Sequence, residues 1–214
     1  MSRSTTQRVT NALRRFTGRR QSGTQELAVE HCELCATPLH AAHDHLLDPH
    51  ARGVFCACSA CAILFPDVAG STTKRYVRVR ARIAKLPSAA LSEHDLVALG
   101  APVRLAVLCP SSLHDALFML YPSAGGPVEA RGSLKTWQAM AAQRPELEAV
   151  QHDRDAVIAD LRTPERVPLH VSLDVAYELL GTLRAATAFT GRPDRFAAFE
   201  TRLAALRRSG GDHG

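Results

Sequence analysis

Two Cys-x2-Cys pairs, Cys32 with Cys35 and Cys58 with Cys61, have 22 residues between them. A Cys-x2-Cys turn puts two thiolates on one side of a metal ion. Two such turns, joined by a hairpin, complete a tetrahedron of soft ligands. The gap is close to the roughly 15–20 residues of the two-knuckle zinc pattern. The spacing therefore predicts a four-thiolate zinc site from Cys32, Cys35, Cys58 and Cys61. The stretch from His31 to Phe65 holds five of the six cysteines and five of the ten histidines. Cys56 stands two residues before Cys58, so on a continuing strand both face one side. Cys56 and His45 are alternate ligands, able to replace a thiolate or to hydrogen-bond one. An iron–sulfur cluster is the alternative cofactor, although no ferredoxin-like spacing is present.

The elements that must position these thiols read as a hairpin. DPHARG is a turn and GVFCAC a returning strand. His45 opens HLL, read as an apolar turn, while His40, His43 and His50 read as exposed loop residues. A module of roughly forty residues (29–68) cannot build a self-sufficient core, so a bound metal would supply the missing stability.

The chain has 214 residues and a net charge of +5. Residues 1–25 carry six arginines and no acid, so the rest sums to −1. The basic balance belongs to an arm, read as a disordered basic tail over 1–27. The arm contains ALRRFTGRR, but no apolar segment of export-signal type follows it, and no run is long enough to span a membrane. The expected location is the cytoplasm, where clustered cysteines hold metals rather than disulfides.

After a linker, DVAGSTT (67–73), the texture becomes mixed. RYVRVRARI alternates strictly and reads as one strand, with Arg78, Arg80 and Arg82 on one face. With the tail, that face is the candidate nucleic-acid-binding surface, a grip on phosphates. VRLAVLC (103–109), stopped by Pro110, and ALFMLYP (116–122), stopped by Pro122, read as strands. DAVIADL and RVPLHV form a further pair. Helices are expected at LSEHDLVALG and SLKTWQAMAAQRP, capped by Ser92 and Ser133, at SLDVAYELLGTLRAATAF, capped by Ser172, and at PDRFAAFETRLAALRR, stacking Phe196, Phe199, Leu203 and Leu206. The expected fold is α+β: a cysteine-rich zinc-ribbon-like module, then a domain over 74–208 with a small antiparallel or mixed sheet and C-terminal helices.

CELC, HDHLLD, FCACSACAILF, the RYVRV strand, ALFMLYPSAGGPVEA, the helix with Trp137 and VPLHVSLDVAYELLGTLR together resemble a family of bacterial proteins encoded beside nickel–iron hydrogenase structural genes. The likeness runs from about Cys32 to Leu206. The VSLDVAYELL segment departs from it, with Val171 and Ala176 where a proline and a cysteine are expected. The resemblance implies an accessory role in hydrogenase assembly, maturation or electron transfer, with a hydrogenase subunit or maturation factor as protein partner.

Other reactive residue types assemble no motif. Cys109 ends an apolar strand and reads as a small core residue. Ser111, Ser112, His114 and Asp115 lack a nucleophile elbow. The glycine turn after Ser123 has no following GK[ST]. His170 alternates within a strand and reads as structural. The functional expectation is a non-enzymatic metal-binding accessory protein; a nucleic-acid-binding ribbon and an iron–sulfur carrier are the alternatives.

Overall fold

The computed structural model describes residues 29–65, 76–101, 103–123, 126–163, 166–189 and 196–212. The expected basic tail and the linker at 67–73 lie outside these residues.

Strands β1 (Asp44–Asp48) and β2 (Gly53–Ala57) form an antiparallel hairpin. Its turn is DPHARG: the Asp48 carboxylate accepts the N–H groups of His50 and Ala51, both at 3.0 Å. An aspartate satisfying its own turn is the usual Asx device. Helix α1 (Ser59–Ala62) follows directly. Strand β3 (Val77–Val79) then pairs with the outer side of β1, giving a three-stranded ribbon in the order β2-β1-β3. His45, read as opening a turn, is a strand residue of β1.

The remaining elements are β4 (Ile83–Lys85), α2 (Glu93–Ala98), β5 (Leu105–Ser111), β6 (Ala116–Tyr121), β7 (Val128–Gly132), α3 (Leu134–Ala141), α4 (Pro145–Glu148), β8 (Asp155–Asp160), β9 (Leu169–Ser172), α5 (Leu173–Phe189), α6 (Ala197–Ser209) and β10 (Gly211–Asp212). They build a seven-stranded sheet, β10-β4-β9-β8-β5-β6-β7, antiparallel except where β10 meets β4. The chain is therefore α+β, with C-terminal helices.

Both faces of the central strands are covered, which is why β5, β6 and β8 read as continuous apolar runs. Val107, Phe118 and Ile158 face a core shared with α5, α6 and the ribbon residues Leu47 and Val79. Leu108, Met119 and Val157 face a second core, closed by α2, α3 and α4 around Trp137. The ribbon thus lies back-on against the larger domain. Trp137 is fully buried, and its indole Nε1 has no acceptor among the described residues. Trp137→Ala should cost about 3–5 kcal/mol, measured by denaturant unfolding. Trp137→Phe, which removes the unmatched donor and keeps most of the volume, should cost much less.

Several sequence expectations need correction. RYVRVRARI is not one strand: Val77–Val79 belongs to the ribbon and Ile83–Lys85 to the large sheet, with residues 80–82 crossing between them. The ribbon therefore draws its third strand from beyond residue 74. Pro110 does not stop β5, which continues to Ser111. The β8 ladder covers only Leu105–Leu108, so the proline sits at a local edge, where a missing N–H is tolerated. The VEARG segment after the glycine turn is an edge strand, β7. Ser172 ends β9, and its hydroxyl donates to the Asp174 carboxylate. Phe196 precedes α6 and stays partly exposed, while Phe199, Leu203 and Leu206 are buried. Ser92 and Ser133 do cap their helices, accepting the N–H of Asp95 at 3.2 Å and of Thr136 at 3.1 Å.

Candidate metal centre

The structure brings Cys32, Cys35, Cys58 and Cys61 together, with all four Sγ atoms within 4.8 Å of one another. Cys35 Sγ and Cys58 Sγ are 3.7 Å apart. A single ion with Zn–S bonds of about 2.3 Å in a tetrahedron separates its sulfurs by about 3.8 Å, so the donor set has the size of a mononuclear site. A cluster interposes iron and sulfide and holds its thiolates farther apart. The cluster can hold one metal ion.

Each knuckle has a local cause. In the first, Cys32 N–H donates to Thr37 O at 2.8 Å and Ala36 N–H returns to Cys32 O at 2.7 Å. Ala36 turns the chain at φ 60. The knuckle is pinned to β2: Glu33 N–H donates to Cys56 O at 2.9 Å, and Cys56 N–H to the Glu33 carboxylate at 2.7 Å. In the second knuckle, Cys58 is the N-cap of α1 and Cys61 lies one turn on. Residues three apart share a helix face, so both thiols meet the first pair. Beneath them, Leu46, Ala57 and Ala62 form a small buried cluster with Cys32, edged by Phe55, Phe65 and Tyr76.

The thiols do not share charge equally. The backbone N–H of Cys58, aimed at the Cys32 sulfur, lowers that thiol to about 6. The Thr37 hydroxyl lowers Cys35. Cys61 is pushed up to about 12, first by the Cys58 thiol and then by the other sulfurs. Four sulfurs this close cannot all ionise unaided; a cation at their centre removes the conflict.

Cys56 is not part of this group. Strand β2 ends at Ala57 and the helix begins at once, so the two-residue alternation never reaches Cys58. Cys56 is instead opposite His45 in the β1–β2 register, on the face away from Leu46 and Ala57. There His43, His45 and Cys56 each offer a ligand atom within 4.8 Å of the others. His43, read as an exposed loop residue, has a side chain only 8% exposed. His45 Nδ1 lies 3.0 Å from the carboxylate of Asp174 on α5, a partner 129 residues away that no local pattern announces.

The arginine face does not form as one surface. Arg78 pairs with Asp44 at 2.6 Å within the ribbon, and Arg82 with Asp155 at 3.3 Å beside the large sheet. Arg80, in the crossing, is exposed and makes no ion pair among the described residues.

The remaining candidates are structural. Ser111 Oγ donates to Asp153 and lies 2.9 Å from His114 Nδ1. Here the serine bridges histidine and aspartate, whereas a nucleophilic triad needs the histidine in the middle. Burial pushes the Cys109 thiol up to about 12. His170 is fully buried, its Nε2 2.8 Å from Asp155. Among the described residues, no helix is long and apolar enough to cross a membrane.

The family described as "Family of unknown function (DUF5947)" matches residues 31–209, and the chain belongs to it. No curated protein and no solved structure matches the chain.

Proposed function

We propose that this member of the DUF5947 family is a non-enzymatic accessory protein of a reducing, cytoplasmic compartment, whose four-cysteine ribbon is closed by zinc and presents a docking surface to a protein partner. The observation that carries the reading is the donor set: four thiols gathered at the spacing of a single tetrahedral ion. Zinc suits such a closed, all-thiolate, redox-silent site.

Apolar side chains flank the thiols where a soluble surface is normally polar. Leu34 lies inside the first knuckle, and Ile63 and Leu64 directly follow the second; all three are exposed, Leu64 to 72%. Exposed aliphatics gathered on one small feature mark contact surfaces. The hydrogenase connection comes from the sequence resemblance, which makes a nickel–iron hydrogenase subunit the first partner to test.

The paired substitution Ile63→Asp, Leu64→Asp is expected to abolish co-purification with a co-expressed hydrogenase subunit while leaving bound zinc unchanged. Retained co-purification, or absence of binding by the unaltered chain, would remove the docking reading.

A further inference from the structure

The geometry points to a second metal site, on the opposite face of the ribbon, in which His43, His45 and Cys56 bind a zinc-class divalent ion. The three ligand atoms lie within 4.8 Å of one another. The strand register explains why: His43 and His45 alternate on the same side as β1 begins, and Cys56 stands directly across from His45.

The ring tautomers are set from outside. His43 Nδ1 is 2.9 Å from the carbonyl oxygen of His40. A carbonyl only accepts, so Nδ1 carries the hydrogen and Nε2 keeps its lone pair. His45 Nδ1 faces the Asp174 carboxylate at 3.0 Å, which likewise leaves Nε2 as the donor atom. A ligating histidine that gives its other N–H to a carboxylate or carbonyl is the usual outer support of a metal site. Asp174 is itself held, accepting Val175 N–H at 2.8 Å and the Ser172 hydroxyl.

A second observation is independent of the tautomers. His43 Nε2 is buried and has no hydrogen-bond partner among the described residues. The Glu30 carboxylate lies 3.7 Å from it, on an exposed side chain. A buried ring nitrogen with a free lone pair is costly unless something binds it.

The surroundings favour a cation. Glu30, Asp174 and Glu178 all act on His45. Two of the three arginines that line the cleft are paired with carboxylates, Arg78 with Asp44 and Arg202 with Glu178, and the third, Arg80, is exposed to solvent. Both histidines line an open cleft of about 440 Å3 between the ribbon, the 80–82 crossing and α5. Two imidazoles and one thiolate suit zinc and its cobalt substitute. Three protein ligands leave a fourth position for water or a small ligand, the arrangement of metal sites that do more than hold a fold.

The test is cobalt(II) titration of the full chain, freed of metal and kept reduced, followed by zinc displacement. The unaltered chain should take two equivalents. Cys56→Ala and, separately, His43→Ala should each lose one equivalent and keep the intense sulfur-to-cobalt bands of the four-thiolate site. Cys58→Ser should lose those bands and keep the weaker spectrum of a single-thiolate site. Circular dichroism and melting of Cys56→Ala separate lost binding from lost folding, since the substitution removes one sulfur from a half-buried position. One equivalent in the unaltered chain, or two in a folded Cys56→Ala, overturns the second site without touching the first. Loss of the four-thiolate bands from the unaltered chain would overturn the first site alone.

Discussion

Cys58→Ser is expected to cost the chain one metal ion and the order of its two knuckles. Cys58 does three things: it places a thiol 3.7 Å from that of Cys35, starts α1 from the N-cap position, and aims its N–H at the Cys32 sulfur. Serine offers a hard, protonated oxygen in place of a soft thiolate. Structural zinc contributes about 10–16 kcal/mol in small zinc-binding units. Among the described residues, three other buried side chains, Leu46, Ala57 and Ala62, cluster with Cys32 around the thiols. Losing one ligand of four should therefore remove most of what holds the knuckles. The back of the ribbon remains attached to the large domain through Leu47 and Val79, so the expected failure is local. Amide exchange should accelerate by several orders of magnitude in the two knuckles, residues 31–38 and 58–65, and stay slow in β5, β6 and β8. Treating the unaltered chain with a strong chelator should give the same pattern. Uniform protection after metal loss would mean that the apolar contacts suffice.

Asp160→Asn is expected to loosen the C-terminal helix. Asp160 ends β8 with no exposed side chain, and three guanidiniums converge on its carboxylate. Arg162 donates at 2.8 and 3.0 Å, Arg166 at 2.8 Å and Arg207, from α6, at 3.0 Å. Glu200 shares Arg162 from the other side at 2.6 Å. Removing one partner of a buried ion network leaves unmatched charge, at a cost of about 3–5 kcal/mol. The pH dependence follows with a definite sign. Burial on its own raises the Asp160 carboxyl, but the hydrogen bonds and charges of Arg162 and Arg166 outweigh it and hold the group at about 2. A carboxylate lowered on folding stabilises the protein above its unfolded value, near 4, and loses that contribution as the pH falls from there toward 2. The contribution is about 2–3 kcal/mol by linkage. The unaltered chain should lose stability steeply across that window, and Asp160→Asn should show a flatter profile. Parallel profiles would show that the network contributes nothing at that site.

What the sequence disclosed, and what it hid, follows from the range of each signal. The Cys-x2-Cys spacings are local geometry, and the four thiols that share them meet. Cap residues and apolar periodicity are local too, so α2, α3, β6 and β8 could be placed from Ser92, Ser133 and their neighbouring patterns. Cys56 was harder, because alternation predicts a common face with Cys58 only while the strand lasts, and the chain turns into α1 after Ala57. RYVRVRARI carries a correct β pattern, but alternation does not show that a chain changes sheets between Val79 and Ile83. Strand β7 is an edge with exposed Val128 and Glu129, so it lacks the buried face that marks a strand. The link from His45 to Asp174 depends entirely on how α5 docks behind the ribbon, and no spacing in either segment encodes it.

The measurement that bears most directly on the central claim is metal and acid-labile sulfide analysis of the full chain purified without oxygen, beside Cys58→Ser prepared in the same way. A colourless protein with zinc and no labile sulfide is expected, with one zinc fewer per chain in Cys58→Ser. Iron with stoichiometric sulfide, or equal zinc in the two proteins, would contradict it.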